Sequence, residues 1–131
     1  MAMPTSAATS TVLVVDDVPD IRSLLSTVLT RAGYSVLVAS DAMQARDICT
    51  QVSDPIHLLI TDVLMPGLNG PALAAHAVAV RPQIRVLYIS AYDQGLLMDR
   101  LNLDEGTPFL LKPFSPDELL SKVRDVLGAS R

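Results

Sequence analysis

Three aspartates, a serine and a lysine stand at the ends of short apolar runs in this chain. Asp16 and Asp17 follow the run at 12–15, Asp62 comes after Thr61 and the run at 56–60, Ser90 follows 86–89, and Lys112 follows 109–111. Carboxylates packed together repel, each pair by about 4 kcal/mol at about 4 Å in a medium of effective dielectric roughly 20. Such a group is stable only if one acid is protonated or a cation sits among them. A few oxygen ligands, with room for waters and a phosphate oxygen, suit Mg²⁺ or Mn²⁺. Asp62 is then the natural nucleophile, because a carboxylate attacking phosphorus forms an aspartyl phosphate. A cation, the Lys112 ammonium and the Ser90 hydroxyl could each take one oxygen of the transferred group, and a donor with a good leaving group needs no general acid. Each residue also has a plainer reading. Asp16-Asp17 before Pro19 could cap a helix, Asp62 could be a solvated loop acid, Lys112 a snorkelling lysine, and Ser90 a small residue closing a strand. It is their joint placement that favours chemistry.

Near-continuous apolar runs separated by helical stripes predict parallel strands buried on both faces, and ligands of such sheets bind outside the strands' carboxyl ends. The expected strands are 11–16, 34–39, 56–61, 84–90 and 107–112. The first helix carries Ile21, Leu24, Leu25, Val28, Leu29 and Ala32 on one face and stops at Gly33. Ser40 or Asp41 caps a second helix with the stripe Ala42, Ala45, Ile48, Cys49 and Val52. A loop at 65–71 leads to a third helix ending before Pro82. The segment 91–106, with Leu96, Leu97, Leu101 and Leu103, allows only a short helix between Gly95 and Gly106. Ser115-Pro116-Asp117-Glu118 reads as a capping box with Pro at the first helical position, and the last helix buries Leu119, Leu120, Val123, Val126 and Leu127.

The chain has 131 residues, half of them hydrophobic, which fits one domain with a core of its own. Its net charge of −4 offers no basic stripe for phosphates and so argues against direct nucleic-acid binding. Cys49 is the single cysteine, so no intrachain disulfide forms, which fits a reducing compartment. No apolar stretch reaches membrane-spanning length, and 1–10 lacks the apolar centre of a signal peptide. The expected organisation is a disordered lead-in or linker at 1–10, one domain at 11–128 and a tail at 129–131, in a cytoplasmic setting. His57, His76 and the buried-stripe Cys49 read as structural, and the methionines at 3, 43, 65 and 98 form no stripe.

Val14-Val15-Asp16-Asp17, then Asp62-Val63-Leu64-Met65-Pro66 with Gly70, Ser90-Ala91, and Lys112-Pro113-Phe114 together resemble the receiver domain of two-component response regulators, over nearly all of 11–127. The resemblance implies a flavodoxin-like, doubly wound α/β fold: five parallel strands in the order 2-1-3-4-5 with five helices around them. It implies that Asp62 is the phosphoacceptor and that Asp16, Asp17 and Asp62, with the backbone carbonyl of Leu64, hold the divalent ion. Ser90 and Lys112 would contact the phosphoryl group, and Lys112–Pro113 would be a cis peptide, which X–Pro makes accessible. The phosphoryl donor would be a histidine kinase or a histidine phosphotransfer protein. The output would go to a downstream protein through the surface of the fourth helix and fifth strand. Phe109 matches the family's switch aromatic, and it reads equally as an ordinary core aromatic.

Some positions depart from the family's common pattern. Leu64 and Tyr92 are bulky where small or polar residues are frequent, so both should hinder the attacking water and lengthen the phosphoryl lifetime. The stretch 103–108 lacks the Ala-Asp-Asp-Tyr run of dimerising DNA-binding regulators and looks more like receivers appended to hybrid sensor kinases. Ending at Arg131, the chain is either a stand-alone receiver or a piece of a larger kinase or regulator.

Three alternatives compete. A Mg²⁺-dependent phosphatase of the haloacid-dehalogenase type needs an Asp-x-Asp nucleophile motif after the first strand, which Asp16-Asp17-Val18 does not supply. A flavin carrier needs a phosphate-cradling first loop, which Asp16 and Asp17 would repel. A phosphorylation-independent binding module built like a receiver would have no need of the intact acids, hydroxyl and lysine.

Overall fold

The computed structural model describes residues 10–65, 68–90 and 107–128. Chain order runs β1 (Thr11–Val15), α1 (Pro19–Arg31), β2 (Ser35–Ala39), α2 (Ala42–Gln51), β3 (Leu58–Asp62), β4 (Leu64–Met65), β5 (Leu68–Asn69), α3 (Gly70–Val80), β6 (Arg85–Ser90), β7 (Phe109–Leu111) and α4 (Pro116–Gly128). The main sheet has the order β2-β1-β3-β6-β7 and every pairing in it is parallel. Counting only its own five strands, that is the expected 2-1-3-4-5. The loop expected at 65–71 instead contains a two-residue antiparallel pair, Leu64 opposite Asn69 and Met65 opposite Leu68. The described residues hold four helices rather than five, because the remaining expected helix falls at 91–106, outside them.

Alternation along the central strands splits the core in two. Leu13, Val15, Leu59 and Tyr88 face α2 and α3. Val12, Val14, Leu58, Ile60, Leu87 and Ile89 face α1 and α4. Each fully buried Leu or Ile contributes roughly 1.5–3 kcal/mol of transfer free energy, so the middle of the sheet is the strongest part of the fold. The edges differ. β2 is half exposed, and the 109–111 run, read as buried on both faces, is an edge strand whose Leu111 is 48% exposed. Leu24, expected in the α1 stripe, is likewise exposed, because Ile21, Leu25, Val28 and Leu29 alone meet the sheet. Ala32 lies past the helix as its C-cap.

The helix ends are set by local chemistry. Asp41 accepts the Gln44 amide at 2.7 Å, while Gln44 Oε1 accepts the Ser40 amide at 2.7 Å. Ser115 Oγ accepts the Glu118 amide at 3.1 Å and Glu118 Oε1 accepts the Ser115 amide at 2.8 Å, completing the expected capping box. After α1 the chain reverses through Gly33, whose φ of 102° suits glycine. The amides of Gly33 and Tyr34 return to the carbonyls of Thr30 and Leu29, the pattern of a Schellman stop.

Candidate functional site

Sheet register brings the separated acids together. Val15 pairs with Thr61, so Asp16 and Asp62 emerge side by side from β1 and β3. Asp62 in turn pairs with Ile89, Ser90 closes β6 opposite Leu111, and Lys112 follows directly. Backbone bonds continue the ladder through these positions: Asp16 N–H donates to Ala39 O at 3.3 Å, and Lys112 N–H donates to Ser90 O at 2.7 Å. All four side chains therefore leave the sheet at its carboxyl edge.

Lys112 Nζ lies 3.0 Å from Asp62 Oδ2 and 3.3 Å from Asp16 Oδ2. Asp16 is fully buried, Asp62 and Lys112 are mostly buried, and Asp17 is exposed beside them. One carboxylate oxygen from each of Asp16, Asp17 and Asp62 lies within 4.8 Å of the others. One ammonium against three carboxylates leaves two negative charges unbalanced, which matches a divalent cation. The donor set is all hard oxygen, so the residues present fit such an ion.

Burial pushes the Asp62 carboxyl above its ordinary range. The hydrogen bond and charge of Lys112 pull it down, the charges of Asp16 and Asp17 push it up again, and the net direction is upward. For Lys112, burial works against the charged form, but Asp62 and Asp16 outweigh it and hold the ammonium more tightly protonated than usual. The lysine is a fixed cation here, and Asp62 is a carboxylate whose charge is costly until something neutralises it.

The residues singled out from the sequence divide into those brought together and those elsewhere. Asp16, Asp17, Asp62 and Lys112 form the cluster, and Ser90 is buried at the end of the adjoining strand. The Lys112–Pro113 bond is cis, as expected. Leu64 opens β4, two residues beyond Asp62, whereas Tyr92 lies outside the described residues. Phe109 packs against the α2/α3 side of the core, in register with the buried Tyr88. His57 accepts the Thr11 amide at 2.9 Å through Nδ1, His76 stands 3.4 Å from Thr50 Oγ1, and Cys49 is buried in the α2 stripe, so all three are structural.

Sequence reasoning missed Arg22, whose Nη1 donates to Asp16 O at 2.8 Å, and Thr61, whose hydroxyl donates to Asp62 O at 3.0 Å. Arg22 lies one helical turn into α1, close enough to reach back to the acidic loop, and that spacing was the available signal. Gly70 was noted only as part of a motif, and its reason is steric. A Cβ there would collide with the Asp62 carbonyl, while the Gly70 amide bonds Val63 O at 2.7 Å.

The family model for the response regulator receiver domain matches residues 12–124. An uncharacterised transcriptional regulatory protein of Bacillus subtilis, YrkP, is 37% identical over 112 residues, covering 86% of this chain and 47% of that protein. The sensor kinase CckA of Brucella abortus is 29% identical over 121 residues, covering 92% of this chain and 13% of the kinase. The chain thus spans half or less of the length of these relatives. Among solved structures, the response regulator TrrA of Thermotoga maritima, in complex with Mg²⁺ and BeF, superposes with a TM-score of 0.74 at 29% identity, over 89% of this chain and 98% of that one.

Proposed function

The chain belongs to the response regulator receiver domain family, a family of signalling domains rather than classical enzymes, and from that premise we propose that Asp62 is its phosphoacceptor. The observation that carries this reading is the Asp62–Lys112–Asp16 contact at the carboxyl edge, with Asp17 within reach of both acids. An Asp62 carboxylate oxygen attacks phosphorus and forms a P–O bond. The donor's P–N bond, in a phosphohistidine, or its P–O bond, in an acyl phosphate, breaks, and the leaving imidazole nitrogen or carboxylate oxygen keeps the electron pair. Lys112 stands 3.0 Å from Asp62, so an incoming phosphoryl oxygen meets its ammonium directly. The Ser90 hydroxyl donates to a second oxygen.

Asp16, Asp17 and Asp62, with the carbonyl of Leu64, would hold Mg²⁺ or Mn²⁺, which supplies charge neutralisation to the phosphoryl group. Phosphorylation adds nearly two negative charges. Ser90 turning toward them vacates space that Phe109 fills, changing the surface around β7. A full population switch takes about 5.5 kcal/mol of differential stabilisation. Phe109 has no hydroxyl, so the change it transmits is one of packing. Bulky Leu64 and Tyr92 slow hydrolysis of the acyl phosphate. Residues 11–128 form the receiver, its donor is a histidine kinase or histidine phosphotransfer protein, and its output is a protein target in the cytoplasm. No helix of the described residues is long and apolar enough to cross a membrane.

The test is phosphoryl incorporation from acetyl phosphate with Mg²⁺, read by intact mass. One added group that requires both Mg²⁺ and Asp62, with Asp62→Ala as control, is the expected result. No gain on folded protein would favour a phosphorylation-independent binding module. Continuous release of phosphate from small phosphomonoesters would favour a phosphatase. Leu64→Asn should shorten the lifetime of the phosphorylated form, and an unchanged lifetime would remove Leu64 from the account.

A further inference from the structure

Asp17 is the exposed member of the acidic cluster, so its carboxylate is placed by the backbone on either side of it. Both sides are fixed. The Asp16 carbonyl accepts from Arg22 Nη1 at 2.8 Å, and the Val18 amide donates to Asp16 Oδ1 at 2.8 Å. The Arg22 amide also donates to the Val18 carbonyl at 3.0 Å. The Arg22 guanidinium therefore holds the turn at its Asp16 end, while the bond from its amide to Val18 is the first backbone bond of α1. Val18, the N-cap of α1, has no side-chain cap of its own, so the turn is not closed in the usual way.

We propose that Arg22 is a positioning residue for the divalent cation. Its guanidinium fixes the turn so that the Asp16 and Asp17 carboxylates converge with Asp62 before the ion arrives. This rests on the metal-binding reading of the site and adds to it a residue that touches neither the ion nor the phosphoryl group. Preorganised ligands bind more tightly because the ordering cost is met on folding. Loss of a residue that orients metal ligands typically lowers affinity about 10-fold to 100-fold.

Charge alone predicts the opposite sign. A guanidinium near a cation site repels the cation, so removing it without any positioning role should tighten binding. Calorimetric titration of the whole chain with MgCl₂ separates the two. Arg22→Ala and Arg22→Lys are both expected to weaken Mg²⁺ binding about 10-fold, since lysine keeps the charge but not the planar donor geometry. Amide exchange at Val18 in metal-free protein should be faster in both variants. Arg22→Ala that binds Mg²⁺ as tightly as wild type, or more tightly, overturns the proposal. So does full retention of affinity by Arg22→Lys, or a lowered melting temperature with affinity unchanged. If Arg22→Ala fails to fold, Arg22→Lys carries the same test. Wild type that binds no Mg²⁺ would overturn the metal reading itself, whereas normal wild-type binding with unaffected variants overturns only the role of Arg22.

Discussion

At the carboxyl rim of the sheet three carboxylates share one ammonium, whereas at the amino rim the Arg81 and His57 side chains bond backbone groups. Arg81 donates to the carbonyls of Cys49 and Asp54, each at 2.9 Å, and to that of Val52, tying the end of α2 to the approach to β3. His57 accepts the Thr11 amide through Nδ1, and its own backbone bonds Thr11 and Arg85. Arg81 and His57 are thus satisfied by the protein's own backbone. The carboxyl rim is left open in charge, with three carboxylates around one ammonium and burial disfavouring the charge of Asp62. One sheet thus separates side chains that hold loops from the charges proposed to bind the cation and the phosphoryl group.

The sharpest way to break this contrast is Asp62→Asn. Phosphoryl incorporation by intact mass should vanish. The metal-free protein should nevertheless melt a few degrees higher than wild type, because a carboxylate disfavoured by burial and by two neighbouring acids becomes neutral. Saturating Mg²⁺ should reverse the order. At about 100 times its dissociation constant a ligand adds about 2.7 kcal/mol to the wild type, and the variant, short of one charged ligand, should gain less. A variant that melts lower than wild type without metal would show that the open rim stores no such cost.

Arg81→Ala should do the reverse. Three carbonyls around the end of α2 lose a charged donor, and about 2 kcal/mol of stability should go with it, measured by denaturant unfolding. Phosphorylation at temperatures well below the melt should be unchanged, because Arg81 acts at the opposite rim. A large loss of phosphorylation with stability intact would mean that the two rims are coupled.

A pH series sharpens the comparison further. The folded-state pKa of Asp62 is raised above the ordinary 3.8, so below 3.8 the acid is protonated in both states and contributes no difference. As pH rises from there through the raised folded value, the unfolded chain ionises more readily and the group becomes destabilising. The advantage of Asp62→Asn should therefore be absent in strong acid and grow toward neutral pH, then level off. Lys112 has the opposite sign. Its raised pKa gives stability that is fully present below 10.5 and fades as pH climbs past the folded value. An advantage of Asp62→Asn that is flat across this acid range would contradict the open-rim account.

These contrasts were unequally visible in the sequence. Asp16, Asp17, Asp62, Ser90 and Lys112 could be found because each follows an apolar run, and a parallel sheet gathers such ends at one edge. Their pairing could not, since register depends on how strands slide, and only the Val15–Thr61 pairing sets Asp16 level with Asp62. The exposure of β7 was hidden for a similar reason, because the apolar residues of 109–111 carry no mark of which side chain stays uncovered. Arg22 and Arg81 were hardest to see. Each reaches a backbone carbonyl, which every residue possesses, so the partner leaves no trace in residue type.

The smallest expected effect is at His57. Its Nδ1 satisfies the amide that opens β1, yet the side chain is exposed and water can take over the acceptor role. An intramolecular hydrogen bond nets about 1 kcal/mol when buried, and less where solvent competes. His57→Ala should therefore cost no more than about 1 kcal/mol and show mainly as faster amide exchange at Thr11. Mg²⁺ affinity and phosphoryl incorporation should stay at wild-type values, because the whole length of β1 separates Thr11 from Asp16. A measurable fall in Mg²⁺ affinity would mean that strain at the amino rim travels through β1 to the acids, and the two rims could no longer be treated as independent.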